Sequence, residues 1–163
     1  MIQEYDQEAA LEDIIRVNDQ FYILATSSLA DERTRVLKQG NTFAVFDRHG
    51  DIRQVGLAVQ GLYHRGTRYL SRLELRLGKS RPMLLSSTVK DDNAMLAVDL
   101  TNPDAYLDGV IVVPRGTVYI SRTMFLWEGT CYERLRIWNY GLHSVDLSFS
   151  LRFEADFADI FEV

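Results

Sequence analysis

Residues 144–157, "SVDLSFSLRFEADF", place Val145, Leu147, Phe149, Leu151, Phe153, Ala155 and Phe157 at every second position. Side chains of an extended strand alternate between two faces, so this strict period of two predicts a β-strand with one buried face. Fourteen residues at about 3.3 Å each would span roughly 45 Å, which suits a large two-sheet sandwich with bent or bulged strands. The period then breaks at Ala158 and Ile160-Phe161, with Asp159 and Glu162 between them.

Shorter runs repeat the pattern. "FYILATSS" (21–28), "TRVLK" (34–38), "TFAVFD" (42–47), "PMLLSSTV" (82–89) and "NAMLAVDLTN" (93–102) are β-branched or aromatic and are bounded by polar turns. "SRLELRLG" (71–78) sets Leu73, Leu75 and Leu77 on one face and Arg72, Glu74 and Arg76 on the other. "GTVYISRTMFLW" (116–127) and "TCYERLRIWNYG" (130–141) flank Glu128-Gly129, a two-residue hairpin connection. His49-Gly50-Asp51 reads as a turn, since Asp bonds its own backbone there. Residues 56–71, "GLAVQGLYHRGTRYLS", have no clean period and read as the longest irregular connection. In residues 6–17, Ala9, Ala10, Leu11, Ile14 and Ile15 fit a short amphipathic helix or a mobile leader. The expected organisation is a leader over 1–20 and one all-β domain over 21–163, an antiparallel two-sheet sandwich.

Charge and cysteine usage narrow the function. The net charge is −5 with no block of Lys or Arg, which argues against a nucleic-acid surface. No run approaches the roughly 20 apolar residues of a membrane span. The acidic opening is unlike a secretory signal, and the single cysteine, Cys131, excludes an internal disulfide. A cytoplasmic protein is expected, with Cys131 a small buried strand residue. His49, His64 and His143 lie far apart in turns, without H-x-x-x-H or C-x-x-C spacing, so neither metal nor cofactor is expected.

Two groups of side chains carry candidate chemistry. Glu154 and Asp156 leave one strand on the same side, with Cα atoms about 6.6 Å apart, near the separation of an inverting glycosidase's acid and base. Any E-x-D on a wet strand face gives that distance too. Trp127 precedes a hairpin turn, and Tyr132, Trp138 and Tyr140 share a face with Arg134 and Arg136. Exposed rings at Trp127, Trp138 and Tyr140 would stack on the apolar face of a sugar; otherwise they pack against another element.

Taken together, "TFAVFDRHGDI", "GLYHRGTRYLSRLELRLG", "LLSSTVKDDNAMLAVDLTNPD", "RTMFLWEGTCYERLRIWNYG" and "LSFSLRFEADFADIFEV" resemble the N-terminal domain of bacterial and archaeal glycogen-debranching, amylo-α-1,6-glucosidase-type enzymes. The resemblance spans residues 21–163. It implies a β supersandwich preceding an (α/α)₆ catalytic barrel, with the family pattern continuing past "DFADIFEV". It further implies that the catalytic carboxylates belong to the barrel, leaving this chain none. The expected role is a non-catalytic domain that supports the barrel and shapes an α-glucan cleft. Tyr63, His64, Arg65 and Arg68, with Asp156, Asp159 and Glu162, are then the candidate interdomain or cleft residues. Phe157, Ile160 and Phe161 would form an apolar patch through which the isolated domain self-associates. An independent α-glucan-binding module and a free-standing enzyme using Glu154 and Asp156 are the alternatives.

Overall fold

The computed structural model describes residues 14–17, 20–23, 34–54, 59–90, 92–161 and 163. The chain divides into two units, residues 1–32 and 33–163. In the first, β1 (Ile14–Val17) and β2 (Gln20–Ile23) pair antiparallel. The helix expected over 6–17 therefore gives way to a strand at Ile14–Val17, where β-branched Ile14, Ile15 and Val17 favour extended backbone. The remainder of that helix lies outside the described residues.

The second unit is all-β, as the alternation predicts. β3 (Arg35–Gln39), β4 (Thr42–Phe46), β5 (Gly61–His64) and β6 (Thr67–Leu70) form one antiparallel sheet in sequence order. β7 (Arg72–Leu77) pairs with β14 (Phe149–Glu154). A second four-stranded sheet has the order β13-β12-β9-β8, from β8 (Met83–Val89), β9 (Met95–Thr101), β12 (Val118–Trp127) and β13 (Thr130–Asn139). β10 (Ala105–Leu107) and β11 (Val110–Val113) make a separate hairpin. One apolar cluster joins these layers: Leu37, Ala44 and Phe46, then Leu73, Leu75 and Leu77, against Leu96, Val98, Leu100, Ile120 and Met124.

Two expectations change. Residues 56–71 contain a regular hairpin, β5–β6, not an irregular connection; residues 55–58 lie outside the described set. Its turn is Arg65-Gly66, with φ of 50° and 86°, the double left-handed geometry of a tight hairpin. Arg at the first turn position gives none of the turn signal that Asn-Gly or Asp-Gly would give. Glu128-Gly129, with φ of 47° and 76°, makes the same turn where the sequence places it. The strand predicted over 144–157 forms a ladder only at Phe149–Glu154, because its partner β7 runs no further than Arg72–Leu77. Val145 and Leu147 still pack on the core without a ladder, and Phe157 at φ 54° ends the extended backbone.

The inner face of β12 carries an exception. Val118, Ile120, Met124 and Leu126 point inward, and so does Arg122, which is wholly buried. Its Nη1 donates to Asp51 Oδ1 at 2.5 Å and to the His49 carbonyl at 3.0 Å, and its Nε donates to Glu133 at 2.7 Å. Asp51 Oδ1 also accepts from the Leu75 amide, while Arg81 donates to Asp51 Oδ2 and Asp47 Oδ2 at 2.7 Å each. Asp51, read from sequence as a turn residue, is thus the centre of a buried ionic network. Opposed guanidinium groups of Arg122 and Arg81 outweigh burial and hold its carboxyl below the usual range. Glu74, expected on an open face, is buried within salt-bridge reach of Arg53, Arg72 and Arg76 at 3.4 Å each.

Removing one member of such a network strands a dry charge. Asp51→Ala is expected to lower the unfolding free energy by about 3–5 kcal/mol in urea titrations, the range for breaking a buried ion pair. A loss under 1 kcal/mol would show that the network contributes little. Burial and nearby Arg81 lower the pKa of His49 from 6.5 to about 4. The unfolded chain then binds a proton on His49 below pH 6.5 that the folded chain refuses until about pH 4. Stability is complete above 6.5 and falls as pH drops through that window, by about 2 kcal/mol at pH 5. His49→Gln should flatten the decline between pH 7 and 5, measured by urea titration at each pH.

Candidate functional site

The β5–β6 hairpin and the segment after β14 meet along one edge. From Glu154 the chain runs beside β6: the Ser71 amide donates to the Glu154 carbonyl, Arg68 N to the Ala158 carbonyl, and Ile160 N to the Gly66 carbonyl. Thr67 and Asp159 form an antiparallel bridge. This backbone pairing carries Asp156 to Arg68. Arg68 Nε lies 3.1 Å from both carboxylate oxygens, and Nη2 donates to Oδ2. The Arg68 side chain is buried, and this pairing holds the Asp156 carboxyl below the usual range.

Local sequence makes room for that pair. A Cβ on Gly61 would stand 2.6 Å from Arg68 Cδ and 2.8 Å from Tyr63 Cε2, so the guanidinium stem lies across a bare backbone position. Tyr63 is fully buried and stacks on Phe43, ring centroids 4.6 Å apart and planes 7° from parallel. His64 Nδ1 is 2.7 Å from Thr42 Oγ1, and its ring meets Tyr69, which meets Phe157 edge-on. Gly129, at the tip of the β12–β13 hairpin, comes close to the same imidazole. Arg65 is exposed at the turn. Asp159 Oδ1 accepts the Phe161 amide and so shapes its own loop.

The structure therefore gathers Tyr63, His64, Arg65, Arg68, Asp156 and Asp159 in one edge of the fold, while Glu162 lies outside the described residues. Their roles differ. Tyr63 is core, Arg68 pairs with Asp156 through Nε and Nη2, and Arg65 is left facing solvent. Glu154, paired with Arg72 at 2.8 Å, is likewise engaged by a cation.

The aromatic group divides. Trp138 and Tyr140 both meet Tyr119, with centroids 5.3 and 6.3 Å away and planes tilted by 39° and 52°. Trp127 stands at the far end of β12, opposite Thr130, so the three rings do not form one flat platform. Sequence reasoning missed Tyr119 and Asp99. Tyr119 shares the outward phase of Trp127 on β12, and its hydroxyl donates to Asp99, which also accepts from Ser86. Cys131 is half-buried; its thiol is pushed up to about 11 by burial and then by Glu133, which makes it a poor nucleophile at neutral pH. Among the described residues no His, Cys, Asp and Glu group is arranged to hold a metal ion.

Asp156→Ala leaves Arg68 without its partner. An unfolding free-energy loss of about 1–3 kcal/mol is expected, the cost of an unsatisfied buried donor, with Gly61→Ala producing a similar loss by crowding Arg68. Urea titration of both variants checks this, and an unchanged midpoint for Asp156→Ala would mean that the edge does not depend on the pair.

A family profile described as the N-terminal domain of (some) glycogen debranching enzymes matches residues 37–163. No curated protein and no solved structure gave a significant match.

Proposed function

The chain belongs to the family of N-terminal domains of glycogen debranching enzymes, and on that premise we propose that it is a non-catalytic β-sandwich that supports an (α/α)₆ catalytic barrel and contributes one wall of its α-glucan cleft. The observation that carries the non-catalytic reading is the engagement of Glu154 by Arg72 and of Asp156 by Arg68. Glycoside hydrolysis needs one carboxyl held protonated beside one held ionised. Arg68 holds the Asp156 carboxyl below its usual range, and Glu154 lies on an exposed strand face against Arg72, so neither stands in the apolar pocket that a general acid needs.

The edge built from β5, β6 and residues 154–161 is the side proposed to meet the barrel. Arg65 points outward there, Phe157 is 64% exposed and Phe161 95% exposed. Exposed aromatic rings beside a hydrogen-bonded, salt-bridged edge are what a domain interface requires: apolar area to bury, on a backbone already paired. Under this reading Arg68 and Asp156 set the shape of the edge, and Arg65, Phe157 and Phe161 make the contact.

The test is hydrolysis. Incubated at high concentration with isomaltose or a branched limit dextrin, the 163-residue chain is expected to release no glucose. Sustained release that Glu154→Gln or Asp156→Asn abolishes would overturn the non-catalytic reading and make the carboxylate pair an active site.

A further inference from the structure

The outer face of the β13-β12-β9-β8 sheet is organised in rows. Tyr119 lies opposite Trp138, Ser121 opposite Arg136, Thr123 opposite Arg134, and Phe125 opposite Tyr132. On the other side of β12, Asp99 of β9 lies opposite Ser121, and Ser86 of β8 continues that row. Aromatic rings thus occupy both ends of the face. The Phe125 and Tyr132 rings stack at 4.9 Å and 10°, and the Tyr119, Trp138 and Tyr140 cluster sits about 20 Å away, six residues along β12. Between them runs a polar strip.

That order separates the possible occupants. A protein partner is met by a patch whose centre is apolar and depleted of charge, with a polar rim. Here the centre is charged and the ends are aromatic. A nucleic acid would accept the stacking and the arginines, but the same strip holds the Asp99 carboxylate on a chain of net charge −5, which repels phosphate. A neutral polyhydroxylated chain matches both parts. Its sugar rings present C–H faces to aromatic side chains, and its hydroxyls both donate and accept. Arg134 and Arg136 offer donors and make no hydrogen bond or ion pair among the described residues. Asp99 offers acceptor capacity and is already oriented by Tyr119 and Ser86.

We infer that this sheet face is a binding surface for a linear α-1,4-glucan segment, with Trp138 and Tyr140 stacking one end of the sugar chain, Phe125 and Tyr132 contacting the other, and Arg134, Arg136 and Asp99 bonding the hydroxyls between. The choice of α-glucan rests on the debranching-enzyme reading; the choice of a sugar rests on the face alone. The surface lies on the outside of a sheet, uses none of the Arg68–Asp156 residues, and would hold substrate without reacting with it.

The experiment titrates the 163-residue chain with maltoheptaose, cellohexaose and a thymidine oligonucleotide, reading intrinsic tryptophan fluorescence and calorimetric heat. Maltoheptaose is expected to bind, and Trp138→Ala to weaken it by about tenfold, the scale of one lost aromatic contact. Arg136→Gln, an exposed substitution that spares the fold, is expected to weaken it severalfold. Unchanged affinity in both variants places any sugar elsewhere and overturns the inference. Binding of the oligonucleotide in preference to either sugar also overturns it. If no sugar binds, the surface assignment falls while the domain's place in a debranching enzyme stands. If cellohexaose binds and maltoheptaose does not, the α-glucan assignment falls together with the family-based choice of substrate.

Discussion

The Asp51–Arg122 pair is the interaction on which the packing of this sandwich depends. Arg122 occupies an inward position in the middle of β12, between Ile120 and Met124, where every other inward residue of the strand is apolar. A guanidinium there is tolerable only if its charge is compensated and most of its donors are met; among the described residues Nη2 is buried without a hydrogen-bond partner, while Nε and Nη1 are engaged. The turn at 47–51 delivers Asp51 from one side, Glu133 arrives from β13, and the His49 carbonyl takes a third bond. Asp51 in turn holds the Leu75 amide and Arg81, so one carboxylate ties a turn, β7 and β12 together. Apolar packing would accept several registers of these layers. The geometry of charged hydrogen bonds accepts far fewer.

Much of the architecture was legible because a period of two says which residues face inward. β12 and β13 follow it almost residue by residue, and the Glu128-Gly129 turn falls where Gly and the flanking runs predict. The β5–β6 hairpin was hidden because Arg65, a residue with no turn preference, occupies a left-handed position that the rest of the hairpin imposes. The length of β14 was overestimated because alternation reports which way side chains point, while a ladder also needs a partner strand. Arg122 did leave a signal: it is the one charged residue in the inward phase of β12. Its partner did not, since Asp51 sits 71 residues away in a segment where Asp already has a sufficient local reason to occur.

The candidate site was legible as a set of residues and not as a set of roles. Tyr63, His64, Arg68, Asp156 and Asp159 do come together, but pairing within the chain consumes most of their chemistry. Arg68 meets Asp156, His64 meets Thr42, and Tyr63 joins the core. What remains for contact with other molecules is the material that needs no internal partner: exposed rings at the edge and the mixed aromatic and charged face of the larger sheet. The paired edge and the open face are supplied by different strands, β5–β6 with residues 154–161 and β8, β9, β12 and β13.

The tight turns also bear on how the chain reaches this state. Arg65-Gly66 and Glu128-Gly129 each join strands through two residues whose backbone twist matches that of the ladder they close. Hairpins of this kind form in about 1–10 μs, long before contacts across a hundred residues are made. β14 must by contrast find β7 over more than seventy residues, and Asp51 must find Arg122 over a similar distance. The hairpins are thus built first and the layers are joined last. Until they are joined, the carboxylate and guanidinium remain in water, so the step that dries them is also the step that selects the native docking of one layer on the other.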